Sequence, residues 1–474
     1  MLFNTLDYAK FFAATFVVYW LLLRHRAARM VFLLAASYAF YAGWNWRYLP
    51  LILLSSSMDF WLAARIDREP DPALRRRWLW ITVVVNLSLL GFFKYWNFTL
   101  ESVEWVARSG DVHLDLGRWM LRLALPVGIS FYTFESMSYV IDVYRRDMPA
   151  ERSYLRYLLF VAFFPHLVAG PIVRPKDLLP QFDRLPSLDR ATGGEGLFLV
   201  AVGLLKKVCI GDYLALNLVD RVFDRTTSFS SLETLFGVYG YALQIYCDFS
   251  GYTDIAIGCA LLLGIRINEN FRSPYQSTSL QEFWRRWHIS LSSWLRDYLY
   301  ISLGGNRGGR WKTYRNLMLT MLLGGLWHGA SWTFVVWGLL HGVGLAAQRA
   351  RDDLLGAPKG RAAWPLRVLY GLVTFHFVCF AWIFFRAPTF SKAAEVLRQL
   401  AAGTTFHPNL PPKLLAVMAL GAATHLLPHA WLDAGKRGFI ALPFPAQGVA
   451  LFGVALALHE LAESAALPFV YFQF

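Results

Sequence analysis

Two histidines stand in an otherwise apolar stretch, LWHGASWTFVVWGLLHG, which covers residues 326–342. Imidazole is costly to bury in lipid, so such a histidine is either a hydrogen-bonded structural residue or a group that transfers protons. His328 lies between Trp327 and Gly329, and the glycine allows another chain or a ligand to approach closely. His341 follows 13 residues later, which places the two imidazoles on nearly opposite faces of an unbroken helix. The spacing leaves chemistry open for His328 and favours a structural role for His341 unless the helix breaks.

The chain lacks the short motifs of several enzyme classes. It has no Walker A loop, no GxSxG, no HExxH and no histidine with an aspartate five positions on. It also has no DxD pair, which argues against a nucleotide-sugar glycosyltransferase. The four cysteines lie far apart in apolar stretches without CxxC spacing, so we predict neither a disulfide framework nor a metal site. No bound cofactor is predicted.

The composition indicates a helical membrane protein. Hydrophobic residues make up 56% of the chain and charged residues only 16%, whereas soluble domains carry about 25% charged residues. The apolar runs are long and continuous, unlike the short alternating strands of an outer-membrane barrel. The net charge of +14 fits basic cytoplasmic loops, and part of it is available to attract an anionic substrate; nucleic acid is not a predicted partner.

Apolar runs in the first third of the chain alternate with charged loops in one consistent pattern. The basic loops 24–29 and 65–77 fall on the cytoplasmic side, and the acidic segment 101–115 falls outside. This pattern predicts an external N-terminus and a retained first helix. The five runs are 11–23, 30–42, 48–63, 78–98 and 120–141.

Two later stretches are too short for a comfortable crossing, which needs about 20 residues. Residues 157–170, which include His166, predict a re-entrant segment, and such backbone is tolerated only where protein shields it. Residues 251–265 follow the polar string YCDFSGYTD and are similarly short. Asp254 is therefore a functional candidate at membrane depth or, alternatively, the cap of a helix N-terminus.

Residues 279–309 predict one amphipathic helix at the cytoplasmic interface. His288 borders its apolar stripe, and arginines occupy the other face. The apolar region 317–347 is long for one span and short for two, and glycines such as Gly329 would allow a break there. The apolar stripe consists of Trp284, Trp287, Leu291, Trp294, Leu295 and Tyr298.

Taken together, several of these strings resemble the membrane-bound O-acyltransferase family, in particular its alginate O-acetyltransferase branch. The resemblance covers most of residues 1–386 and is densest over 126–342, whereas the remaining tail shares only its hydrophobic character. The strings that carry it are PVGISFYTFESMSYVIDVYR, FFPHLVAGPIVRPKDLLPQF, YCDFSGYTDIAIG, FRSPYQSTSLQEFWRRWHISLSSWLRDYLYISLGGNRGG and LLGGLWHGASWTFVVWGLLHG.

The resemblance implies a fold and a domain organisation. It predicts an all-α polytopic membrane protein, a ring of about eleven transmembrane helices with re-entrant segments and interfacial amphipathic helices. One integral membrane domain would span residues 1–474, with a core at about 119–350 and less certain C-terminal helices over 364–474. In this fold, funnels from both faces of the membrane meet near the central histidine.

The same resemblance implies site residues. The invariant histidine of the family corresponds to His328, and its upstream partner corresponds to His288. Burial disfavours a charged imidazolium, so a neutral His328 would be ready to take a hydroxyl proton. His288 would orient it, polarise the thioester carbonyl or bind the acceptor, and the sequence leaves these roles open. Further candidates are Trp287, Trp327, Asp297 and Asp254 for the substrate tunnel, and Arg285, Arg286, Arg307, Lys312 and Arg315 for the donor.

The implied activity is acyl transfer from acetyl-CoA across a bacterial inner membrane, for O-acetylation of an exported polysaccharide such as alginate. The implied partners are acetyl-CoA, an exported periplasmic acetyltransferase protein and membrane lipids. Two other classes remain open from the residues alone. One is a proton-coupled transporter in which His328 and Asp254 relay protons, and the other is a scaffold of a polysaccharide export complex.

Overall fold

The computed structural model describes residues 2–356 and 363–461, and every regular element within these residues is helical. The chain divides into two compact units. The first unit comprises residues 7–187 and 263–267; the second comprises residues 2–6, 188–262 and 268–474. The prediction of one domain over 1–474 stays a prediction, and its last part, residues 462–474, lies outside the described residues.

The first unit contains nine helices within the described residues. The expected apolar runs all fall on helices, although the fifth run, 120–141, becomes helical only from Ile129. A short π-helical turn at Gly91–Tyr95 separates the fourth helix from the fifth. The helices are α1 Leu6–Leu21, α2 Arg26–Asn45, α3 Leu49–Arg68, α4 Pro72–Leu90, α5 Trp96–Ser109, α6 Ile129–Arg145, α7 Tyr154–Ala162, α8 Phe164–Leu167 and α9 Pro175–Leu178.

The predicted re-entrant stretch 157–170 lies in short helices, α7 and α8, and is buried throughout. At its centre His166 is fully buried, and its Nδ1 atom lies 2.9 Å from Oε1 of Glu135, which is equally buried. The same oxygen accepts a hydrogen bond from the Val173 amide at 3.0 Å. Protein therefore surrounds this stretch, and a re-entrant segment requires such burial.

The second unit contains twelve helices within the described residues. Three π-helical segments accompany them, at Leu205–Asp212, Ala215–Val219 and Leu295–Tyr300. The helices are α10 Arg190–Leu204, α11 Asp220–Asp224, α12 Ser231–Leu262, α13 Leu280–Arg286, α14 Ile289–Trp294, α15 Arg310–His328, α16 Trp332–Leu355, α17 Trp364–Arg386, α18 Phe390–Ala401, α19 Pro412–Leu426, α20 His429–Ala441 and α21 Phe444–Leu461.

The interpretation of residues 251–265 as a short segment was wrong. They continue α12, a helix of 32 residues that also contains the polar string YCDFSGYTD. Asp254 therefore lies inside a helix and does not cap one. It pairs with Lys206 across a 2.7 Å contact, and Asp248 pairs with Lys207 at 2.6 Å. The two acids of this polar string are matched by lysines of the Leu205–Asp212 segment.

Three helical stretches in the described part of the chain have the length and apolar composition to cross a membrane, namely Arg26–Arg68, Pro72–Ser109 and Trp364–Arg386. A fourth would be Pro412–Leu426 with Ala430–Ala441, if this pair, bent by 97°, forms one span. The expected number of about eleven also counts shorter and more polar helices, and it stays a prediction.

Candidate active site

His328 is the last residue of α15 and is 3% exposed. Gly329 is extended, and α16 begins at Trp332 with the Ser331 side chain as its N-terminal cap. The apolar region 317–347 is thus two helices joined by a short turn, and the predicted break at the glycines is confirmed. The turn leaves the His328 side chain at the end of a helix, where a fixed backbone can hold it.

Glycines bring α15 and α16 into backbone contact just before this turn. A Cβ atom added at Gly325 would lie 2.4 Å from the Phe334 carbonyl oxygen, and one at Gly338 would lie 2.4 Å from the Met321 oxygen. Neither distance is compatible with a real side chain, so only glycine permits this crossing. The close approach fixes the end of α15, and with it His328.

Aromatic rings surround His328. Its ring centroid lies 5.0 Å from those of Trp327 and Trp337 and 5.3 Å from that of Phe385 in α17. All three contacts are edge-on, an arrangement that suits an imidazole beside aromatic faces. This wall is apolar, so it keeps bulk water from the imidazole.

His288 lies at a break in the predicted amphipathic helix. That helix is not continuous: α13 ends at Arg286, α14 begins at Ile289, and His288 between them has the left-handed φ of +43°. Such a conformation is unusual outside glycine and asparagine, and it requires support from its surroundings. The expectation of one helix over 279–309 was wrong because periodicity cannot reveal a single residue with positive φ.

The structure brings the two predicted catalytic histidines to one aromatic ring. His288 is fully buried, with its ring 6.0 Å from that of Trp327 and 4.7 Å from that of Phe249 in α12. Trp327 also contacts His328 at 5.0 Å. Two imidazoles in contact with one indole form the centre of the candidate site.

Asn270 supports the left-handed turn at His288, and no sequence pattern indicated this residue. Its side chain is fully buried, and its Oδ1 atom lies 3.2 Å from His288 Nδ1. The same oxygen accepts hydrogen bonds from the Ser290 amide at 3.1 Å and from the Ser290 hydroxyl at 2.9 Å. The Asn270 carbonyl accepts from the Ile289 amide at 2.9 Å. Both the backbone and the side chain of Asn270 therefore hold this turn.

His341 belongs to the same aromatic cluster, because the helix breaks between the two histidines. Its ring lies 4.9 Å from Trp337, which His328 also contacts. The Trp284 indole N–H donates to His341 Nδ1 at 3.3 Å. An indole nitrogen can only donate, so the neutral His341 carries its proton on Nε2. The spacing argument placed the histidines on opposite faces, which holds only for an unbroken helix.

A cavity of about 600 Å³ lies next to this cluster in the second unit. Trp284 lines it and also contacts Trp337 and His341, to which its ring is 5.8 and 5.1 Å distant. Three cations line the cavity, Arg285, Arg296 and Arg349. The latter two pair with Asp297 and Asp353. Arg285 has no ion-pair partner in the described part of the chain, so it is available to an anionic ligand.

The other predicted donor-binding cations do not line this cavity. Arg286 pairs with Glu282 at 2.7 Å, and Arg315 donates to Asn316 Oδ1 at 2.9 Å. Arg307 and Lys312 are exposed near the start of α15. Arg296 and Arg349 line the cavity instead, and their position depends on the π-helical segment and on the α15–α16 turn, which the sequence pattern did not specify.

Glu282 is held as a carboxylate beside Arg286. Its partial burial raises its pKa, but hydrogen bonds from Thr278 and the Arg286 guanidinium outweigh that effect, so the pKa of the carboxyl lies below its ordinary value. The Ser279 side chain caps the same helix by accepting from the Glu282 amide. These bonds fix the start of α13, which carries Trp284 and Arg285.

The remaining predicted residues lie as follows. Trp287 is fully buried and stacks on Phe283 at 5.6 Å, so it packs as part of the aromatic cluster. Asp297 pairs with Arg296 beside the cavity, whereas Asp254 pairs with Lys206. No group of three histidines, cysteines or acids that could hold a metal ion occurs within residues 2–356 and 363–461.

The sequence around this site also matches the model of a known protein family. The model of the membrane-bound O-acyltransferase family matches residues 146–386, about half of the chain and the part that contains α13, α14, α15 and the α15–α16 turn. The chain belongs to the membrane-bound O-acyltransferase family. It is therefore a membrane enzyme that transfers acyl groups to hydroxyl acceptors and uses an acyl donor.

Individual relatives of this O-acyltransferase include enzymes of bacterial cell-surface polymers. A probable alginate O-acetylase of Azotobacter vinelandii is 48% identical over 371 residues, 77% of this chain and 71% of the relative. A peptidoglycan O-acetyltransferase of Helicobacter pylori is 40% identical over 394 residues, 78% of this chain and 73% of that protein. A teichoic acid D-alanyltransferase of Bacillus subtilis is 29% identical over 286 residues, 56% of this chain and 69% of that protein.

Proposed function

We propose that this O-acyltransferase takes an acetyl group from acetyl-CoA and delivers it across a bacterial inner membrane for O-acetylation of an exported polysaccharide such as alginate. An exported acetyltransferase partner would complete the delivery to the polymer. The names of the alginate and peptidoglycan relatives support an acetyl group and a polysaccharide. The observation that carries the proposal is that His288 and His328 both contact Trp327.

The proposed reaction needs only a neutral imidazole and a thioester. His328 accepts the proton of the acceptor hydroxyl while the oxygen attacks the carbonyl carbon of the acetyl thioester. The tetrahedral intermediate then expels the coenzyme A thiolate, which recovers the proton from His328. An ester is formed and a thioester is broken, so atoms and charge balance. The aromatic wall of His328 supports this step because it excludes water, which would otherwise compete as acceptor.

The cavity next to the histidines suits the donor. Coenzyme A carries several phosphate charges, and three arginines line the cavity. Arg285 has no carboxylate partner in the described residues, so a phosphate would meet an available guanidinium there. Trp284 lines this cavity and also contacts Trp337 and His341, so a donor bound there with its thioester toward Trp284 would lie next to the histidine cluster.

The direct test is transfer of labelled acetyl groups from acetyl-CoA in membranes with matched protein levels and the exported partner present. The variants are the wild type, His328→Ala and the control His407→Ala, which alters an exposed histidine bonded to its own loop at Thr405. Transfer by the wild type and the control but not by His328→Ala supports the proposal. Equal transfer by His328→Ala overturns the role of His328, and no transfer by the wild type overturns acetyl-CoA as donor.

A further inference from the structure

The hydrogen bonds of Asn270 determine which nitrogen of His288 carries the proton. The side-chain atom that faces His288 Nδ1 at 3.2 Å also faces the Ser290 backbone amide at 3.1 Å. A backbone N–H can only donate, so the Asn270 atom must be the carbonyl oxygen, whichever way the amide group is drawn. That oxygen can only accept, and the atom opposite it on His288 must therefore be an N–H.

The Ser290 hydroxyl does not change this assignment. It lies 2.9 Å from Asn270 Oδ1 and 3.4 Å from His288 Nδ1. The shorter contact takes the hydroxyl proton, since 3.4 Å is beyond the usual O–H···N distance. His288 Nδ1 thus donates to Asn270, and in a neutral imidazole the other nitrogen, Nε2, is left as a hydrogen-bond acceptor.

We propose that Asn270 is a positioning residue, which holds His288 in the Nδ1–H tautomer so that Nε2 accepts a hydrogen bond from the acyl acceptor. This inference rests on the proposed function. It excludes one of the three roles that the sequence left open, polarisation of the thioester carbonyl, because a neutral His288 in this tautomer has no N–H on Nε2. The acceptor then meets two buried imidazoles: its reacting hydroxyl gives its proton to His328, and a second O–H or N–H donates to His288.

The roles assigned to His328 and His288 indicate the chemical class of the acceptor. A group that binds here carries a second hydrogen-bond donor close to its reacting hydroxyl, as the adjacent hydroxyls of a sugar ring do. The left-handed φ of His288 supports the assignment, because strained conformations of this kind are retained where a side chain must take one exact orientation. The Asn270 backbone and side chain both stabilise that conformation.

The first test is spectroscopic and does not depend on activity. Full-length protein labelled with ¹⁵N-histidine is reconstituted in lipid, and the His288 signals are identified as those that vanish in His288→Gln. The control is Asn217→Leu, which alters an asparagine whose amide donates to the Tyr213 carbonyl of its own segment at 2.9 Å. We expect a protonated Nδ1 and an unprotonated Nε2 in the wild type and in this control, and loss of that single pattern in Asn270→Leu. A protonated Nε2 in the wild type, or an unchanged pattern in Asn270→Leu, overturns the proposal.

The second test separates positioning from a merely structural role. Asn270→Asp retains an acceptor oxygen for both Nδ1 and the Ser290 amide, whereas Asn270→Leu removes it. With acetyl-CoA as donor, the exported partner present and an alginate oligosaccharide as acceptor, we expect Asn270→Leu to lower kcat/KM for the acceptor roughly tenfold or more, because a wrong tautomer disables a catalytic histidine. The KM for the donor should stay unchanged, and Asn270→Asp should recover most of the loss.

Failure of the tautomer assignment can be distinguished from failure of the proposed function. An equal loss for donor and acceptor in Asn270→Leu, with a lower thermal stability and an unchanged histidine pattern, would show that Asn270 is only structural. If the wild type transfers no acetyl group but shows the Nδ1–H pattern, the proposed function fails while the tautomer assignment stands. If both fail, Asn270 does not position His288.

Discussion

Lys207 shows how single charged residues hold the second unit together. Its ammonium group lies 2.5 Å from Asp212 and 2.6 Å from Asp248 and is only 3% exposed. Two carboxylates share this one buried cation, and their burial is tolerable only while the cation is present. Lys206 and Asp254 form a second pair on the same two segments.

We expect Lys207→Met to destabilise the protein by roughly 3–5 kcal/mol, because it removes the cation that two buried carboxylates share. Lys436→Met provides a matched control: Lys436 pairs with Glu195 at a half-exposed site, where an ion pair contributes about 0–1 kcal/mol. Melting temperatures of the two variants in one detergent check this. Similar values for both would mean that the buried cluster does not stabilise the fold.

At this scale the sequence revealed the reactive residue types but not the residues that orient them. His328 could be predicted from its position between Trp327 and Gly329, and the resemblance indicated His288. Asn270 lies 18 residues before His288 in the sequence, and no local pattern joins an asparagine to a histidine at that distance. Its role depends on a positive φ, which arises from tertiary contacts.

At the scale of elements, the crossing of α15 and α16 decides where His328 lies. Both helices present glycine at their contact, and added Cβ atoms would lie 2.4 Å from carbonyl oxygens of the facing helix. Alanine favours a helix over glycine by up to about 1 kcal/mol. Whether a Gly→Ala change raises or lowers the stability of the protein therefore indicates how closely the neighbouring helix approaches.

We expect Gly338→Ala to lower stability by about 1–3 kcal/mol, since the helices must separate to admit the methyl group. Acyl transfer should fall at the same time, because the end of α15 moves with the contact. Gly371→Ala in α17, where an added Cβ meets nothing within 4 Å, should be neutral or stabilising. Thermal melting and transfer assays on both variants decide the point; a stabilised Gly338→Ala would contradict the crossing geometry.

Elements were predictable where a run of apolar residues matched a helix, and less so where helices bend or continue. The α15–α16 break was anticipated from its glycines, and α17 at Trp364–Arg386 matches its apolar run. Residues 251–265 were interpreted as a separate short segment after a polar string, because hydropathy cannot register that lysines of another segment neutralise the acids of α12. The break at His288 was missed because apolar spacing continues across it.

At the scale of the whole molecule, the charge pattern predicts which loops face the cytoplasm. The loop with Arg75, Arg76 and Arg77 should be cytoplasmic, and the acidic segment 101–115 should be external. The structure describes two compact units with long apolar helices, but a direction across the membrane comes only from these charges. The membrane class could thus be predicted from composition, whereas the number of crossings stays a prediction.

We expect a membrane-impermeant maleimide to label His113→Cys but not Arg76→Cys in intact spheroplasts, and to label both after the membrane is opened. Both positions are exposed, and the four native cysteines are buried, so background labelling should be low. The reason is that basic loops are retained on the cytoplasmic side. The reverse labelling pattern would contradict the predicted orientation.

The position of His328 at the last residue of α15 has one more consequence. The aligned peptide dipoles of a helix place roughly half a negative charge at its C-terminus, which attracts a cation within the last turn. When an imidazole here accepts a proton, the positive charge that forms meets a favourable field. The backbone of α15 would thereby stabilise the transient imidazolium of the transfer step.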